Sequence, residues 1–245
     1  MPRYKITIEY DGTAYAGWQT QKDEPSIQEE LEKAAIRFLG HPAAITGAGR
    51  TDAGVHALGQ VAHFDSEKAF EPYKLCLAFN AHLRPQPISV IAAEVVADDF
   101  NARFSAVERT YVYKILNRRA RPALDENRVW WVGVPLDVDA MQDAASVLLG
   151  RHDFTTFRAA ACQAKSPVRT LDELSFTRSG NLIECHVRAR SFLHHQVRNM
   201  VGTLKLVGEG HWTKQNVIDA LNACDRKAGG PTAPAQGLYF ESVRY

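Results

Sequence analysis

The chain has 245 residues, of which 45% are hydrophobic and 23% are charged, a composition typical of a well-packed protein. No apolar run approaches the length of a membrane helix, and the start of the chain leads directly into strand-like sequence, so we expect no membrane span and no signal peptide. The four cysteines are widely spaced and form no C-x-x-C pair. This spacing argues against a zinc site or a disulfide framework and indicates a reducing, cytoplasmic location.

The net charge of +1 conceals an asymmetry between the two halves of the chain. Residues 1–105 carry 10 Lys and Arg against 14 Asp and Glu, a balance of −4, and residues 106–245 carry 19 against 14, a balance of +5. A basic half can bind a polyanion over a local patch. Solvent-exposed loops that are simply rich in arginine would give the same charge balance without binding a polyanion. The basic residues concentrate in two groups, Arg118, Arg119, Arg121 and Arg128, then Arg151, Arg158, Lys165 and Arg169.

Strands and helices alternate along the first half. Alternating apolar residues predict a strand over Tyr4–Tyr10. Ser26, with Glu29 three residues later, predicts the start of a helix that ends at Gly40. The next segments are a strand over Gln60–Phe64, a helix over about 72–80 and a strand over Ile88–Val96.

The second half continues the same alternation, and the whole chain predicts an α+β fold. We expect two mixed α/β domains, residues 1–104 and 105–245, each built on a mainly antiparallel sheet flanked by helices, with an active-site cleft between them. The predicted segments are a strand at Tyr111–Ile115, a helix from Asp137 to Gly150, a hairpin of Leu171–Phe176 and Leu182–Val187, helices over about 193–207 and 214–223, and a strand over Gly237–Arg244.

The run Gly47-Ala48-Gly49-Arg50-Thr51-Asp52-Ala53-Gly54-Val55-His56 is the most informative stretch of the chain. Its glycines predict a shaped loop rather than a helix or strand. It lacks the Gly-Lys-Ser/Thr ending of a phosphate-binding loop. A carboxylate close to a guanidinium keeps its charge, so Asp52 after Arg50 indicates a site for an ionised aspartate. A tight turn with an Asx hydrogen bond explains the same residues.

Two further features carry candidate functional residues. The helix over 193–207 has one apolar stripe, with Arg198 on another face, and Gly202 would let a second backbone approach. Its adjacent histidines do not converge on one ion, so we expect no metal. Tyr111 and Tyr113 share one strand face. They could stack on unpaired bases or pack in an ordinary core.

Eight short motifs follow one another in a specific order and spacing. Together they resemble the tRNA pseudouridine synthase A family almost from end to end. Small departures are Gln196, where a methionine is expected, and Arg84 within an expected Leu-Pro pair. The motifs are Glu9-Tyr10-Asp11-Gly12, Gly17-Trp18-Gln19, the run from Gly47 to Phe64, Arg103-Phe104-Ser105-Ala106, Arg109-Thr110-Tyr111, His152-Asp153-Phe154, Phe192-Leu193-His194-His195-Gln196-Val197-Arg198-Asn199 and Ala235-Gln236-Gly237-Leu238-Tyr239.

The resemblance implies an isomerase that converts uridine to pseudouridine at positions 38, 39 and 40 of the tRNA anticodon stem-loop. It implies a homodimer and no cofactor or metal. Asp52 matches the catalytic aspartate and would act as a nucleophile or as a base toward the ribose. The other matched residues would bind substrate. Arg50 would displace and replace the flipped base, Tyr111 would stack on it, Arg198 would pair with Asp52 and Leu238 would cover the base.

Two rival functions fit parts of the sequence. A non-catalytic RNA-binding protein explains the basic half and the tyrosines, but a binding groove gains nothing from Asp52 facing a polyanion. An RNA hydrolase that uses Asp52 as a general base would need a second carboxylate or a metal close by, and the sequence places none. The sequence therefore favours the isomerase.

Overall fold

Ten strands and five α-helices, with short 3₁₀ turns between some of them, account for the regular structure of the chain. The structure is a computed structural model and describes all residues, Met1–Tyr245. In chain order the elements are β1 (Arg3–Tyr10), α1 (Ile27–Leu39), β2 (Thr46–Gly47), β3 (His56–Asp65), α2 (Pro72–Leu83), β4 (Ile88–Val96), β5 (Glu108–Asn117), β6 (Trp130–Val132), α3 (Val138–Ala145), β7 (Gly150–Asp153), β8 (Val168–Ser179), β9 (Leu182–Ala189), α4 (Gln196–Gly208), α5 (Lys214–Ala223) and β10 (Leu238–Arg244).

These elements form two compact units, whose bounds differ from the predicted division both at the boundary and at the end of the chain. Unit 1 contains Met1–Val107 and Tyr239–Tyr245, and unit 2 contains Glu108–Leu238. The sequence-based division at residues 104/105 placed the last seven residues with the second half. They lie with unit 1 because β10 pairs in parallel with β3, a contact between segments far apart in sequence.

Unit 1 is built on a sheet with the strand order β4, β1, β3, β10, in which β1 runs antiparallel to both of its neighbours. Alternation in β1 buries one face, with Tyr4, Ile6 and Ile8 fully inaccessible to solvent. Phe64 and Phe79 pack edge to face in the same core. The predicted period-2 pattern therefore identified the buried face of this sheet correctly.

Helix α1 begins and ends where the sequence predicted. The Ser26 hydroxyl accepts a hydrogen bond from the amide of Glu29 and satisfies one of the free donors at the helix start. Gly40 ends the helix at φ 83°, in the left-handed conformation that glycine adopts without steric cost. The end of α1 and the loop that follows it thus come directly from local sequence.

Unit 2 is built on an antiparallel sheet with the order β5, β9, β8, β7, and β6 joins β5 in parallel. Helix α4 is buried over most of its length. The helix begins at Gln196 rather than at 193, because His195 has a φ of 61° and lies outside the helical region. Helix α3 is also shorter than predicted and ends at Ala145, followed by a 3₁₀ turn.

The observed architecture agrees with the predicted fold class. Each unit combines helices with a mainly antiparallel sheet, so the α+β assignment is confirmed. None of the helices is both long and apolar enough to cross a lipid bilayer. The four cysteines are unpaired thiols.

Candidate active site

The loop between β2 and β3 fixes the backbone on both sides of Asp52. Asp52 forms an isolated antiparallel bridge with Gly17. The amide of Trp18 donates to the carbonyl of Thr51 at 3.1 Å, and the amide of Val55 donates to the carbonyl of Asp52 at 3.1 Å. The second contact closes a four-residue turn. The turn and the bridge hold the backbone that carries the Asp52 side chain.

Glycine is required at two positions of this arrangement. Gly54 has a φ of 75° at the third position of the turn, where a type II turn needs a positive φ. Gly17 has a φ of 111°, and a Cβ atom there would lie 2.4 Å from the carbonyl oxygen of Thr51. The bridge to Asp52 therefore forms only if residue 17 has no side chain.

Side-chain exposure alternates along Arg50-Thr51-Asp52. Arg50 is exposed, Thr51 is buried and Asp52 is half-buried. An extended backbone turns successive side chains to opposite sides, so the middle residue points inward while its neighbours point toward the surface. The sequence predicts a loop that presents Arg50, Asp52 and His56, and the structure turns Arg50 and Asp52 toward the surface but buries His56.

His56, the last residue of the glycine-rich run, is buried beside the end of β1. Its Nδ1 accepts a hydrogen bond from the amide of Gly12 at 3.1 Å and lies 3.2 Å from a carboxylate oxygen of Asp11. Its ring stacks on Tyr239 at a centroid distance of 4.8 Å. These contacts join the end of the aspartate loop, residues 48–55 between β2 and β3, to the turn after β1 and to β10. The role of His56 in unit 1 is therefore packing and hydrogen bonding.

In unit 2, Tyr111 and Tyr113 lie on one face of β5, as predicted, but their environments differ. Tyr111 is 8% exposed, and its ring meets Phe192 edge to face at 5.1 Å. Tyr113 is fully buried, and its hydroxyl donates to the carbonyl of Pro234 at 2.7 Å. Burial raises the pKa of Tyr113 well above its ordinary value. Both tyrosines are thus buried, Tyr113 completely and Tyr111 with a small exposed fraction.

Arg198 lies in the first turn of α4 against the segment 229–234, which we call the strap. Its Nε donates to the carbonyl of Ala233 at 2.8 Å, and the Ala233 amide donates back to the Arg198 carbonyl at 3.0 Å. One turn further, Gly202 meets the strap so closely that a Cβ atom would lie 1.8 Å from the carbonyl oxygen of Pro231. The close backbone approach that Gly202 predicted is therefore made by the strap.

The turn before α4 uses Gln196, the residue that departs from the family pattern. The Gln196 side-chain oxygen accepts a hydrogen bond from the amide of Leu193 at 2.9 Å, and the side chain is 1% exposed. A methionine cannot accept such a bond with comparable strength. In this chain the polar residue therefore helps to define where the helix that carries Arg198 begins.

The remaining predicted residues of unit 2 differ in how far they are exposed to solvent. Leu238 is 6% exposed at the start of β10. The first group of basic residues, Arg118 to Arg128, is solvent-exposed, as a polyanion-binding surface requires. Arg169 is different, because its guanidinium donates to the carbonyls of Ser166 and Val168, and burial lowers its pKa. Its role is structural in this setting.

Taken together, the structure sets Arg50 and Asp52 side by side on one loop of unit 1. Tyr111, Arg198 and Leu238 belong to unit 2. The sequence analysis missed a group of buried polar residues below the aspartate loop, formed by Tyr10, Thr51 and Gln60. The available signal was Gln60, a polar residue at the start of an otherwise apolar strand segment.

Comparison with known proteins identifies the chain. Residues 6–105 and 144–245 match the family model described as tRNA pseudouridine synthase. The tRNA pseudouridine synthase A of Rhodospirillum rubrum is 60% identical over 245 residues, which cover 100% of this chain and 88% of that protein. The protein of the same description from Allorhizobium ampelinum is 58% identical over 247 residues, with 100% and 95% covered. These matches define the class of the protein as an RNA-modifying isomerase.

Within that class, the chain belongs to the tRNA pseudouridine synthase family. It is therefore an enzyme that rearranges uridine in tRNA to the isomer pseudouridine. Among solved structures, a match to the crystal structure of a Cbf5-Nop10-Gar1 complex covers 82% of this chain and 53% of that chain at 11% identity. Its TM-score of 0.33 is too low to support any argument.

Proposed function

We propose that the protein converts uridine to pseudouridine at positions 38, 39 and 40 in the anticodon stem-loop of tRNA. It acts in the cytoplasm as a homodimer, and it uses neither a cofactor nor a metal. The observation that carries the proposal is the loop of unit 1, where a half-buried aspartate lies beside an exposed arginine on a backbone fixed by the bridge to Gly17. A chain of the tRNA pseudouridine synthase family with such a loop has the group that the chemistry requires.

The reaction is an isomerisation and needs no outside reagent. The bond between N1 of uracil and C1′ of ribose breaks, the base turns, and C5 forms the new bond to C1′. C5 loses its hydrogen as a proton, and N1 gains one, so atoms and electrons balance. Asp52 either attacks the nucleotide to form a covalent intermediate or withdraws a ribose proton to start the cleavage.

The remaining residues take substrate-binding roles in this proposal. Arg50 is exposed beside Asp52, which suits a side chain that enters the helix and fills the place of the flipped base. Base flipping costs a few kcal/mol, which such a residue offsets. Tyr111 stacks on the flipped uracil, and Leu238 covers it. Arg198, held by the strap through its Nε, pairs with the Asp52 carboxylate and orients it.

The decisive experiment measures tritium release from tRNA labelled at C5 of its uridines, with purified protein and no added metal or cofactor. Release must accompany the formation of the C5–C1′ bond. We expect release from the anticodon arm, and substrates in which U38, U39 or U40 is singly replaced by cytidine show which positions react. Asp52→Ala is expected to lower the rate by at least about 10⁴-fold while tRNA affinity stays within a few-fold.

Asp98→Ala is the matched control, because Asp98 is an exposed aspartate of the same unit. Its rate should equal that of the wild type. Tight tRNA binding without any release would favour the rival RNA-binding protein. Release that survives in Asp52→Ala would show that another residue performs the chemistry.

The proposed homodimer has its own test. Sedimentation of the purified protein should give twice the monomer mass of 27.3 kDa at the concentrations used for catalysis. A monomer that is fully active would remove the dimer from the proposal and leave the assigned reaction intact.

A further inference from the structure

Three buried polar side chains connect the aspartate loop to the sheet of unit 1. The Tyr10 hydroxyl, on β1, lies 2.8 Å from Oγ1 of Thr51. Gln60, on β3, donates from Nε2 to the carbonyl of Gly49 at 2.9 Å and also forms a hydrogen bond with the Tyr10 hydroxyl. The three side chains belong to residues that are 4%, 7% and 0% exposed for Tyr10, Thr51 and Gln60.

We propose that Tyr10, Thr51 and Gln60 are positioning residues that hold the Asp52 carboxylate in place for catalysis, an inference that rests on the proposed function of Asp52. We call these three residues the clamp. The clamp does not touch the substrate. It acts through the backbone of Thr51, the residue directly before Asp52.

The argument begins with the alternation along the loop. Because Thr51 points inward between two outward-pointing neighbours, its side chain is the one that can attach this segment to the sheet. The amides of Trp18 and Val55 donate to the carbonyl oxygens of Thr51 and Asp52. These backbone hydrogen bonds do not involve the Thr51 side chain, which can bond to other groups. Tyr10 supplies such a partner and attaches the loop to β1.

The hydrogen bonds of the clamp fit together as one network. The Gln60 side-chain oxygen accepts from the amide of Val61, so its amide group is the donor toward Gly49 and Tyr10. The Tyr10 hydroxyl shares a second hydrogen bond with Oγ1 of Thr51, in which either oxygen can be the donor. Burial raises the pKa of Tyr10 to about 12, so the hydroxyl remains a protonated donor at neutral pH. Removing the Tyr10 hydroxyl deprives the buried Thr51 hydroxyl of this partner and Gln60 of one of its contacts.

The consequence for catalysis follows from geometry. A carboxylate that reacts at one atom of a nucleotide must be placed within a fraction of an ångström, and a misplacement of about 1 Å can lower the rate about 10²-fold. Substrate affinity comes from a much larger surface. Loss of the clamp should therefore lower kcat and leave KM and tRNA affinity nearly unchanged.

The test uses Tyr10→Phe and Thr51→Val, with Thr51→Ser as the conservative variant that retains the hydroxyl. Tyr4→Phe is the matched control. Tyr4 lies on the same strand and is equally buried, and its hydroxyl also makes buried hydrogen bonds, here with the backbone of Phe70. Tyr4→Phe removes a comparable hydroxyl away from the aspartate loop.

We expect kcat to fall about 10- to 100-fold in Tyr10→Phe and Thr51→Val, with KM and the tRNA Kd within twofold of the wild type. Thr51→Ser should restore most of the rate, and Tyr4→Phe should keep the wild-type kcat. Asp52→Ala is assayed in parallel.

Two results would overturn the clamp. One is a wild-type kcat in both Tyr10→Phe and Thr51→Val while Asp52→Ala is inactive. The other is an equal loss of kcat in Tyr4→Phe, which would show that the loss of kcat comes from lower protein stability and not from the position of Asp52. Should Tyr10→Phe fail to fold, the comparison of Thr51→Val with Thr51→Ser makes the same decision. An active Asp52→Ala would instead refute the proposed function, and this outcome is separate from both results.

Discussion

The two regions that carry the candidate residues are held in different ways. The aspartate loop of unit 1 is fixed mainly through its backbone, by a bridge, a turn and a glycine that has no room for a side chain. The start of α4 in unit 2 is fixed by side chains that bond to the strap. A loop has no ladder of its own, so its neighbours must supply one, whereas a helix satisfies its interior backbone groups and leaves only those at its ends to outside partners. Backbone changes should therefore damage the first region most, and side-chain changes the second.

The largest effect is expected from Gly17→Ala. The new Cβ would collide with the carbonyl of Thr51 at a backbone position with a φ of 111°. We expect the free energy of unfolding to fall by about 4 kcal/mol and the rate of isomerisation to fall with it. Urea denaturation measures the first quantity. Gly40→Ala is the control, since Gly40 has a φ of 83° but open space around it, and should lose only about 1–2 kcal/mol.

Gly202→Ala should destabilise the protein, although replacing glycine by alanine stabilises most helices. In most helix interiors this substitution stabilises by up to about 1 kcal/mol. Here the Cβ would lie 1.8 Å from the carbonyl oxygen of Pro231, so α4 and the strap must separate. We expect a loss of about 3 kcal/mol in thermal or urea unfolding. A stabilised variant would show that the strap is not packed against α4.

Asn199→Ala tests the side-chain bonds of the second region. The Asn199 amide donates to the carbonyl of Phe157, and its oxygen accepts from Arg226 and Thr232. Loss of this buried group should cost about 2–3 kcal/mol in the free energy of unfolding. Thr232→Val removes one of these bonds and should cost about 1 kcal/mol. Equal losses in the two variants would contradict the central role of Asn199.

The smallest effect concerns the alkaline stability of unit 1. Burial raises the pKa of Tyr10 from 10.0 to about 12, so the folded state keeps a proton that the unfolded state releases first. The stabilisation is fully present below pH 10 and is lost as the pH rises through 12. At pH 11 the wild type should have lost about 1 kcal/mol through this group.

The measurement compares wild type and Tyr10→Phe by urea unfolding from pH 8 to pH 11. Other titrating groups contribute to both proteins and cancel in the difference. The difference in unfolding free energy between the two proteins should narrow by about 1 kcal/mol over this interval. A constant gap would mean that Tyr10 titrates normally and is not enclosed by the loop.

Local patterns predicted the elements well where each one depends on its own residues. The capped ends of α1 and the alternation of β1 are examples, because caps and period-2 burial involve neighbours in sequence. The beginning of α4 was placed three residues early, since the positive φ of His195 has no signal in the apolar stripe. The assignment of β10 to unit 1 depends on its pairing with β3, which no local pattern encodes.

The sequence by itself determined the α+β fold class, the family and the loop that carries Asp52, because composition, periodicity and motif order are properties of the chain read in one dimension. Only the tertiary structure decided that Gly17 closes the loop, that Tyr10 bonds to Thr51 and Gln60 to Gly49, and that the strap holds Arg198. These contacts join residues 11 to 41 positions apart. Their specificity lies in distances and hydrogen-bond directions, which exist only after the sheets and helices have packed.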